Sequence, residues 1–379
     1  MQTDMKHEKT DQAGNYYDLA VIGGGPAGTF AAALAVKAGL STVIMEKKAY
    51  PRSKICGGFI SARSISLLPV DLNLISIPSE AIYQVSVLKG RQPRTYNSKT
   101  RLGLVVERTA LDHLMAGYAR AKGAVLLEEQ SLEAISWIKN KTGENYTYIL
   151  ETGNPIRNKL TARYVIAADG ALGNTARLAG LRNNKKDPRG WGLSKVIKAR
   201  SKVAETGAAK FYPLPFLGGM GWSLSGPDWT NQGVGGFCSK SRLQKAYQSI
   251  FNGYPDPAGL LSWPLPFLGP LKKAASNNLL LIGDAAGLVD PFSGEGLYNS
   301  FKSAILAVRS ITEAGKENKP AGELYNELFK INFRRNFAAS LSGAILLHAR
   351  AVLSPSSLPS LIASLMENRL WFNRDIDYL

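Results

Sequence analysis

The sequence has few of the residues that form disulfide frameworks or metal centres. It contains two cysteines, Cys56 and Cys238, and three histidines in 379 residues. Two cysteines cannot build the disulfide framework of a small secreted protein, and so few thiol and imidazole ligands disfavour a zinc site. These shortages exclude a secreted mini-protein and argue against a metalloprotein.

Long apolar stretches are also missing. No uninterrupted hydrophobic run approaches the roughly 20 residues that a membrane span needs. Residues 1–15 are polar and lack the apolar core of a secretory signal. Because 45% of the residues are hydrophobic, a disordered chain is excluded, and 379 residues suffice for two domains. We therefore expect a cytoplasmic globular protein.

Acidic residues are scarce relative to basic ones, which leaves a net charge of +17. Such a charge fits an anionic partner: a phosphorylated ligand, a lipid surface or nucleic acid. The sequence carries no signature of a nucleic-acid-binding fold, so we expect no nucleic acid partner. Much of the excess positive charge lies in residues 89–101, 182–210 and 333–350, and it indicates a phosphate or lipid contact or an aid to solubility.

The first organised segment joins two short apolar runs through a glycine-rich loop and a helix. Residues 17–22 (YDLAVI) predict a buried parallel strand, and the loop 23–28 (GGGPAG) follows directly. An alanine-rich stretch from Thr29 to Lys37 predicts a helix, residues 41–45 predict a second strand, and Glu46 stands at the tip of that strand. Strand, loop, helix, strand and acid in this order indicate a dinucleotide-binding unit.

The residues of this unit have distinct mechanical roles. Gly23 permits the tight turn, Gly25 lets the backbone approach a pyrophosphate, and Gly28 lets the helix and strand pack closely. The helix N-terminus presents free amides and a positive dipole to the phosphates. Glu46 is expected to accept hydrogen bonds from ribose hydroxyls, which disfavours a 2′-phosphate in this pocket.

Two later segments show a strand closed by an acidic turn. Residues 279–287 (LLLIGDAAG) form an apolar run ending in Gly-Asp, and residues 164–170 (YVIAADG) form one ending in Asp-Gly. Each piece alone is compatible with an ordinary turn. In their order along the chain, the three segments resemble the FAD-dependent oxidoreductases of the aromatic hydroxylase type, and the resemblance implies FAD as the cofactor.

Three shorter motifs narrow the resemblance to the geranylgeranyl reductase family. Residues 54–57 (KICG) are similar to the family's Lys-x-Cys-Gly segment, and residues 108–112 (RTALD) to its Arg-x-x-x-Asp helix start. Residues 218–224 (GGMGWSL) resemble the strand that lines its substrate cavity. That strand departs from the family pattern, because Met220 stands where an aromatic residue is common and Trp222 is not followed by a Phe-Pro pair.

The resemblance assigns FAD contacts to particular residues. It implies that Gly23, Gly25, Ala27 and Gly28 contact the pyrophosphate, that Glu46 contacts the adenosine ribose, and that Leu132 contacts the adenine. It also implies that Cys56 and Gly57 lie beside the flavin and that Arg108 contacts the phosphates or the ribityl chain. Asp284, Gly296 and Leu297 would lie along the ribityl chain and the ring. Cys56 is then a candidate proton donor or positioning group, with a small buried residue as the alternative interpretation.

The predicted fold class is α/β with an additional antiparallel sheet. The prediction comprises a doubly wound, Rossmann-like FAD-binding domain in residues 16–75, 102–180 and 275–310, an inserted antiparallel-sheet substrate domain in residues 76–101 and 181–274, and a C-terminal helical region in residues 311–379. Tryptophans concentrate in the second insertion and form either the core of its sheet or the wall of a pocket. We assign Tyr212 and Trp222 to the substrate pocket.

The resemblance also implies a reaction. Reduced flavin would deliver a hydride to a carbon–carbon double bond of a hydrophobic, isoprenoid-like substrate, with a nearby acid supplying the proton. NAD(P)H or a reduced ferredoxin-like protein would supply the electrons. The alternatives are a flavin monooxygenase or halogenase acting on an aromatic substrate, and a non-enzymatic FAD-binding protein.

The C-terminal region has two interpretations. It is basic around residues 333–337 and apolar again in residues 358–365. This pattern predicts either a pair of helices that caps the core or an amphipathic helix that lies on a membrane. The second interpretation adds peripheral membrane contact to the expected cytoplasmic location.

Overall fold

The computed structural model describes residues 16–89, 92–139, 146–153, 159–182, 190–198, 207–251, 259–266, 271–317 and 319–353. The strands are β1 (Tyr16–Ile22), β2 (Thr42–Met45), β3 (Phe59–Ser61), β4 (Ser79–Ile82), β5 (Gln84–Lys89), β6 (Gln92–Asn97), β7 (Gly103–Val106), β8 (Val125–Leu127), β9 (Ser131–Lys139), β10 (Tyr146–Gly153), β11 (Lys159–Ala167), β12 (Gly190–Lys198), β13 (Ala208–Pro213), β14 (Met220–Ser225), β15 (Trp229–Gly236), β16 (Leu261–Leu265), β17 (Ala275–Ser276) and β18 (Leu279–Leu281). The helices are α1 (Pro26–Lys37), α2 (Ala62–Ser66), α3 (Arg108–Lys122), α4 (Thr175–Leu178), α5 (Lys240–Ile250), α6 (Leu297–Glu317), α7 (Ala321–Phe329) and α8 (Arg335–Leu353). The apolar segment 358–365, and parts of the basic tracts 89–101 and 182–210, lie outside the described residues.

The first sheet has the doubly wound, parallel arrangement. Its strand order is β17-β18-β11-β1-β2-β8, and the pairs from β18 to β8 are parallel. Residues 19–21 of β1 are fully buried, as expected for a central strand covered on both faces. Parallel pairing brings the C-terminal ends of these strands to one edge, where ligand-binding loops collect in such sheets. The arrangement confirms the predicted α/β fold class.

Helix α1 is buried along most of its length because its alanines let it approach the sheet closely. Residues 26–33 and Ala35 are buried, and Phe30 meets Phe301 of α6 edge to face at 5.3 Å between ring centroids. The helix begins at Pro26, three residues before the predicted start. Proline is well tolerated at a first helical position, since its missing N–H has no partner there.

The second sheet is the predicted antiparallel one. Its order is β16-β12-β15-β14-β13-β5-β6, with one parallel pair between β13 and β5. Strands β5 and β6 come from the insertion 76–101 and the others from the insertion 181–274, so both insertions contribute to one sheet. The domain boundaries themselves remain predictions. Strands β3, β7 and β4 form a third, small sheet.

Helices α7 and α8 lie in the predicted C-terminal helical region 311–379, whereas α6 begins at Leu297, inside the segment predicted for the FAD-binding domain. Tyr325 and Phe329 of α7 are fully buried, with Phe333 stacked after them, and the Tyr325 hydroxyl donates to the Leu281 carbonyl at 2.8 Å. These contacts attach the region to the first sheet. Within the described residues, no helix has the length and apolarity needed to cross a membrane, and no three histidine, cysteine or acidic side chains are grouped as metal ligands.

Candidate functional site

The glycine loop joins β1 to α1 at the C-terminal edge of the parallel sheet. Gly23 has a φ of +103°, and a Cβ there would lie 2.5 Å from the Ala168 carbonyl oxygen. A Cβ on Gly28 would overlap the Gly23 carbonyl oxygen. Both positions therefore require glycine. Helix α1 starts beside them without a side-chain cap, so its N-terminus is directed to a ligand rather than to its own chain.

A chain of buried ion pairs lies beside the loop. The Glu46 carboxylate accepts a hydrogen bond from the Gly24 amide at 2.9 Å and pairs with Arg52 at 3.2 Å. The other side of the Arg52 guanidinium pairs with Asp112 at 3.2 Å, and Asp112 also pairs with Arg108 at 2.9 Å. Two guanidinium groups thus share one buried carboxylate, which offsets the cost of burying each charge.

The electrostatics of this cluster keep Arg108 charged. Burial works against the charged form of Arg108, yet the Asp112 carboxylate and the hydrogen-bonded Cys56 sulfur raise its pKa above the ordinary value. Tyr50 lies against the same cluster and donates its hydroxyl hydrogen to the Gly24 carbonyl. Burial is the main cause that raises the pKa of Tyr50 well above its usual range, so this donor stays neutral.

The segment 54–57 is anchored to the second sheet through one asparagine. The Asn231 amide donates to the Cys56 carbonyl at 2.7 Å, and its oxygen accepts from the Trp222 indole at 2.8 Å. Asn231 is buried and lies on β15, so it couples the rigid sheet to the segment. A Cβ on Gly57 would lie 3.3 Å from the Trp222 indole nitrogen, which shows how closely the two pack.

A second loop, residues 288–296, closes the site between β18 and α6. The Glu295 carboxylate pairs with Arg63 at 2.5 Å and accepts hydrogen bonds from the hydroxyls of Ser61 and Ser64. The Asp290 carboxylate caps the amides of residues 292 and 293. These bonds hold the loop where Gly296 meets the first turn of α6. A Cβ on Gly296 would lie 3.3 Å from an Asp284 carboxylate oxygen.

One cavity connects these parts, and it contains nine of the fourteen residues that the sequence assigns to the site. They are Gly25, Ala27, Cys56, Gly57, Arg108, Trp222, Asp284, Gly296 and Leu297. Gly23 and Gly28 lie in the same loop as Gly25 and Ala27, but they form the turn rather than line the cavity. The Glu46 carboxylate is held by the loop, by Arg52 and by the Lys48 amide at 3.1 Å, and its contact with a ribose remains a prediction.

Two predicted residues lie away from the cavity. Leu132 is buried on β9, and its carbonyl accepts from Asn174 at 3.5 Å, so an adenine contact through its backbone remains a prediction. Tyr212 does not line this cavity, and its assignment to the substrate pocket remains a prediction. Its ring meets Phe251 edge to face at 5.4 Å, against α5. Successive side chains of a strand point to opposite faces, so it is Phe211 that lines the cavity.

Several cavity residues were not assigned from the sequence. Arg52 precedes the recognised segment 54–57, Lys54 is the first residue of that segment, and Trp263 and Leu265 come from β16, far along the chain. The position of Arg52 between Glu46 and the Lys-x-Cys-Gly motif could have indicated a role in the site. No feature of the sequence indicates Asn231, because a single asparagine in a strand resembles any polar residue on a solvated face.

The polar half of the cavity fits a dinucleotide. A Cβ on Gly25 would point into open space, with Arg52 Nη2 the nearest atom at 3.8 Å, so the backbone is bare where a pyrophosphate would approach. Within the described part of the chain, the buried Arg52 Nε has no hydrogen-bond partner. Buried polar atoms normally have one. A donor thus remains in the cavity wall for a phosphate group of a cofactor.

Comparison with known proteins identifies the family. The family model described as FAD binding domain matches residues 16–214. The chain belongs to this family. The match spans the glycine loop, the buried ion pairs and the segment 54–57, so the predicted cofactor type agrees with the family.

The relatives found in sequence comparison cover most of the chain. One is conditioned medium factor receptor 1 of Dictyostelium discoideum, 24% identical over 93% of this chain and 74% of that protein. Menaquinone reductase of Mycolicibacterium smegmatis is 26% identical over 87% of this chain and 84% of its own length. Digeranylgeranylglycerophospholipid reductase of Methanocaldococcus jannaschii is 25% identical over 82% and 81%. These names confirm the resemblance drawn from the sequence motifs.

Solved structures show the same fold. A geranylgeranyl bacteriochlorophyll reductase-like protein of Thermoplasma acidophilum matches with a TM-score of 0.79 and 22% identity, over 96% of this chain and 94% of that one. The flavin-dependent halogenase CmlS matches with a TM-score of 0.65 and 20% identity, over 84% of this chain and 62% of that one. At these identities the likeness shows the fold alone. The fold is therefore shared by enzymes with different reactions.

Proposed function

We propose that this protein is an FAD-dependent reductase of carbon–carbon double bonds in a hydrophobic, isoprenoid-like substrate. The observation that carries the proposal is the continuity of the cavity. Its polar half holds the glycine loop and Arg52, and its other half is floored by Phe211, Met220, Trp222 and Leu224 of the second sheet. An apolar chamber that opens onto a dinucleotide site suits an alkene better than a polar metabolite. The reductase names of two relatives support this choice.

The chain's own residues would hold and enclose the reactants. When bound, FAD supplies the two-electron chemistry, as a hydride from its reduced ring. The α1 amides and Arg52 would bind the pyrophosphate, Asp284 the ribityl chain, and Cys56 and Gly57 would lie beside the ring. Asn231 positions that segment against Trp222. The apolar floor would orient the alkene and exclude water.

The electron donor and the membrane are the proposed partners. We propose that NAD(P)H, bound transiently, or a reduced ferredoxin-like protein supplies the electrons. We also propose that the basic C-terminal region touches anionic membranes, where such a substrate would dissolve. Ile331, Ile345 and Leu346 are 70%, 50% and 69% exposed, and Arg334 and Arg335 are exposed near them. Flotation with anionic vesicles at low salt should carry the protein upward, and failure to float would contradict this contact.

Anaerobic reoxidation tests the proposed reaction. The holoprotein is reduced with dithionite under nitrogen and mixed with a geranylgeranyl glycerophospholipid in detergent. Return of the oxidised flavin spectrum without O2 supports alkene reduction. A second candidate, oxygenation or halogenation, is favoured by the shared fold of CmlS. Reoxidation that occurs only after O2 is admitted would select it and reject the reductase.

A further inference from the structure

Saturation of a double bond needs a proton as well as a hydride, so the cavity must contain a proton donor. The described lining residues include these ionisable side chains: Arg52, Lys54, Cys56, Arg108, Asp112, Asp284 and Glu295. The guanidinium groups keep their protons at any physiological pH. Neither arginine can therefore donate.

Two carboxylates of the lining are also unsuitable. Asp112 is shared between two arginines, and Glu295 accepts hydrogen bonds from Arg63, Ser61 and Ser64. In these contacts both carboxylates act as hydrogen-bond acceptors, so neither presents a hydrogen to the substrate.

Cys56 and Asp284 are directed to other partners. The Cys56 sulfur accepts a hydrogen bond from Arg108, on the polar side of the cavity. Asp284 lies beside Gly296, and Gly296 belongs to the loop that precedes α6. Asp284 is the residue proposed to bind the ribityl chain. Lys54 is the remaining ionisable group of the cavity wall.

Lys54 points toward the apolar half of the cavity. Its ammonium nitrogen lies 3.6 Å from the ring centroid of Trp263, on β16. An ammonium over an indole face is attracted by the ring's electrons, and the ammonium itself only donates hydrogen bonds. Trp263 and its neighbour Leu265 belong to the same apolar wall as Trp222. The N–H bonds of Lys54 are thus placed beside the proposed alkene.

The surroundings of Lys54 make it a stronger acid than an ordinary lysine. Burial lowers the pKa of Lys54 from 10.5 to about 8, and the Arg108 guanidinium acts in the same direction. The Asp284 carboxylate, Cys56 and Asp112 oppose the shift. Lys54 therefore remains mostly protonated at neutral pH, and it gives up its proton much more readily than an exposed lysine.

We infer that Lys54 is the catalytic proton donor of the proposed reduction. This inference rests on the proposed function. As the hydride adds to one alkene carbon, an Nζ–H bond of Lys54 breaks and its proton adds to the adjacent carbon. The two electrons come from the reduced flavin, and Lys54 is left as a neutral amine that regains a proton from water.

The first test measures the titration of Lys54 directly and needs no substrate. The holoprotein is labelled with ¹³C at the lysine ε-carbons, and the Lys54 resonance is assigned by its loss in Lys54→Arg. We expect its NMR titration midpoint near pH 8, well below the ordinary lysine value of about 10.4. A Lys54 midpoint at the ordinary lysine value would overturn the inference.

The second test measures single-turnover reoxidation by the alkene under nitrogen. Lys54→Arg keeps the positive charge but cannot donate, so we expect a rate about 10²- to 10⁴-fold lower at equal FAD content. The wild-type rate should fall above pH 8, and the rate of the variant should stay flat across the same range. Lys47→Arg is the matched control and should react like the wild type.

Distinct results separate this inference from the proposed function. If the wild type itself fails to reduce any alkene, the proposed function fails. If the wild type is active and Lys54→Arg retains its rate within about threefold, only the inference about Lys54 fails. A large loss of rate in Cys56→Ser together with an unaffected Lys54→Arg would assign the proton to Cys56 instead.

Discussion

Asp112 offers the sharpest test of the buried cluster beside the cofactor loop. Its carboxylate lies 3.2 Å from Arg52 and 2.9 Å from Arg108, and the residue is 1% exposed. Asp112→Asn keeps the shape but removes the negative charge, which leaves Arg108 without the carboxylate that it pairs with and Arg52 paired with Glu46 alone. Breaking a buried pair in this way costs about 3–5 kcal/mol. The ratio of folded to unfolded protein should thus fall by roughly two to four orders of magnitude.

Urea unfolding at pH 7, followed by tryptophan fluorescence at fixed FAD concentration, measures this loss. The matched control is Asp71→Asn. Asp71 pairs with Lys122 at 2.6 Å, but the two side chains are 58% and 41% exposed. An exposed pair contributes at most about 1 kcal/mol. If Asp112→Asn lost no more free energy of unfolding than the control, the view of a cluster held by one shared carboxylate would be refuted.

Three further changes test other parts of the site. Gly28→Val should abolish FAD retention, because a side chain there overlaps the loop backbone. The control is Gly117→Ala, at an open position of α3, which should instead raise the free energy of unfolding by about 0.5–1 kcal/mol. Asn231→Ala should cost about 1–3 kcal/mol in urea unfolding, because it leaves the Trp222 indole without its acceptor. The folded-state pKa of Lys54, about 8, lies below its ordinary 10.5, so the unfolded chain binds more protons in that window. The Lys54 contribution to stability should therefore rise with pH from about 8 to about 10.5, and Lys54→Met should remove that rise.

Each of these predictions has a contrary outcome. Bound flavin in Gly28→Val equal to that of the wild type would show that the loop tolerates a side chain. An Asn231→Ala variant with unchanged unfolding would mean that the bonds to Trp222 and Cys56 contribute nothing. A difference between wild type and Lys54→Met that stays constant from pH 7 to pH 10.5 would contradict the lowered pKa of Lys54.

The parts of the site that are local in sequence could be predicted. The unit from β1 to Glu46 is continuous, and its glycines serve contacts within the unit or with the adjoining strand β11. The spacing of these residues in the sequence therefore predicted both the glycine turn and the position of Glu46. The helix start was misplaced by three residues, because Pro26 looks like a breaker although it suits the first turn.

The parts that depend on distant segments could not be predicted. Asn231 bonds to Cys56 across 175 positions of sequence, and Trp263 meets Lys54 only because β16 pairs with β12. The position of Tyr212 outside the cavity could not be predicted for a different reason. Side chains alternate along a strand, so two neighbouring residues face opposite sides of the sheet. In β13 one side faces the cavity and the other packs against α5, so neither side is exposed to solvent as a guide. Aromatic character alone could not say which face held the substrate.

The mass of the product after one turnover tests the central claim most directly. Reduced holoprotein is mixed under nitrogen with a geranylgeranyl glycerophospholipid, and the lipid is analysed by mass spectrometry. We predict a product that has gained two hydrogen atoms across one double bond of an isoprenoid chain. Isoprenoid chains that stay fully unsaturated under nitrogen, or a product that gains oxygen when air is admitted, would contradict the proposed function.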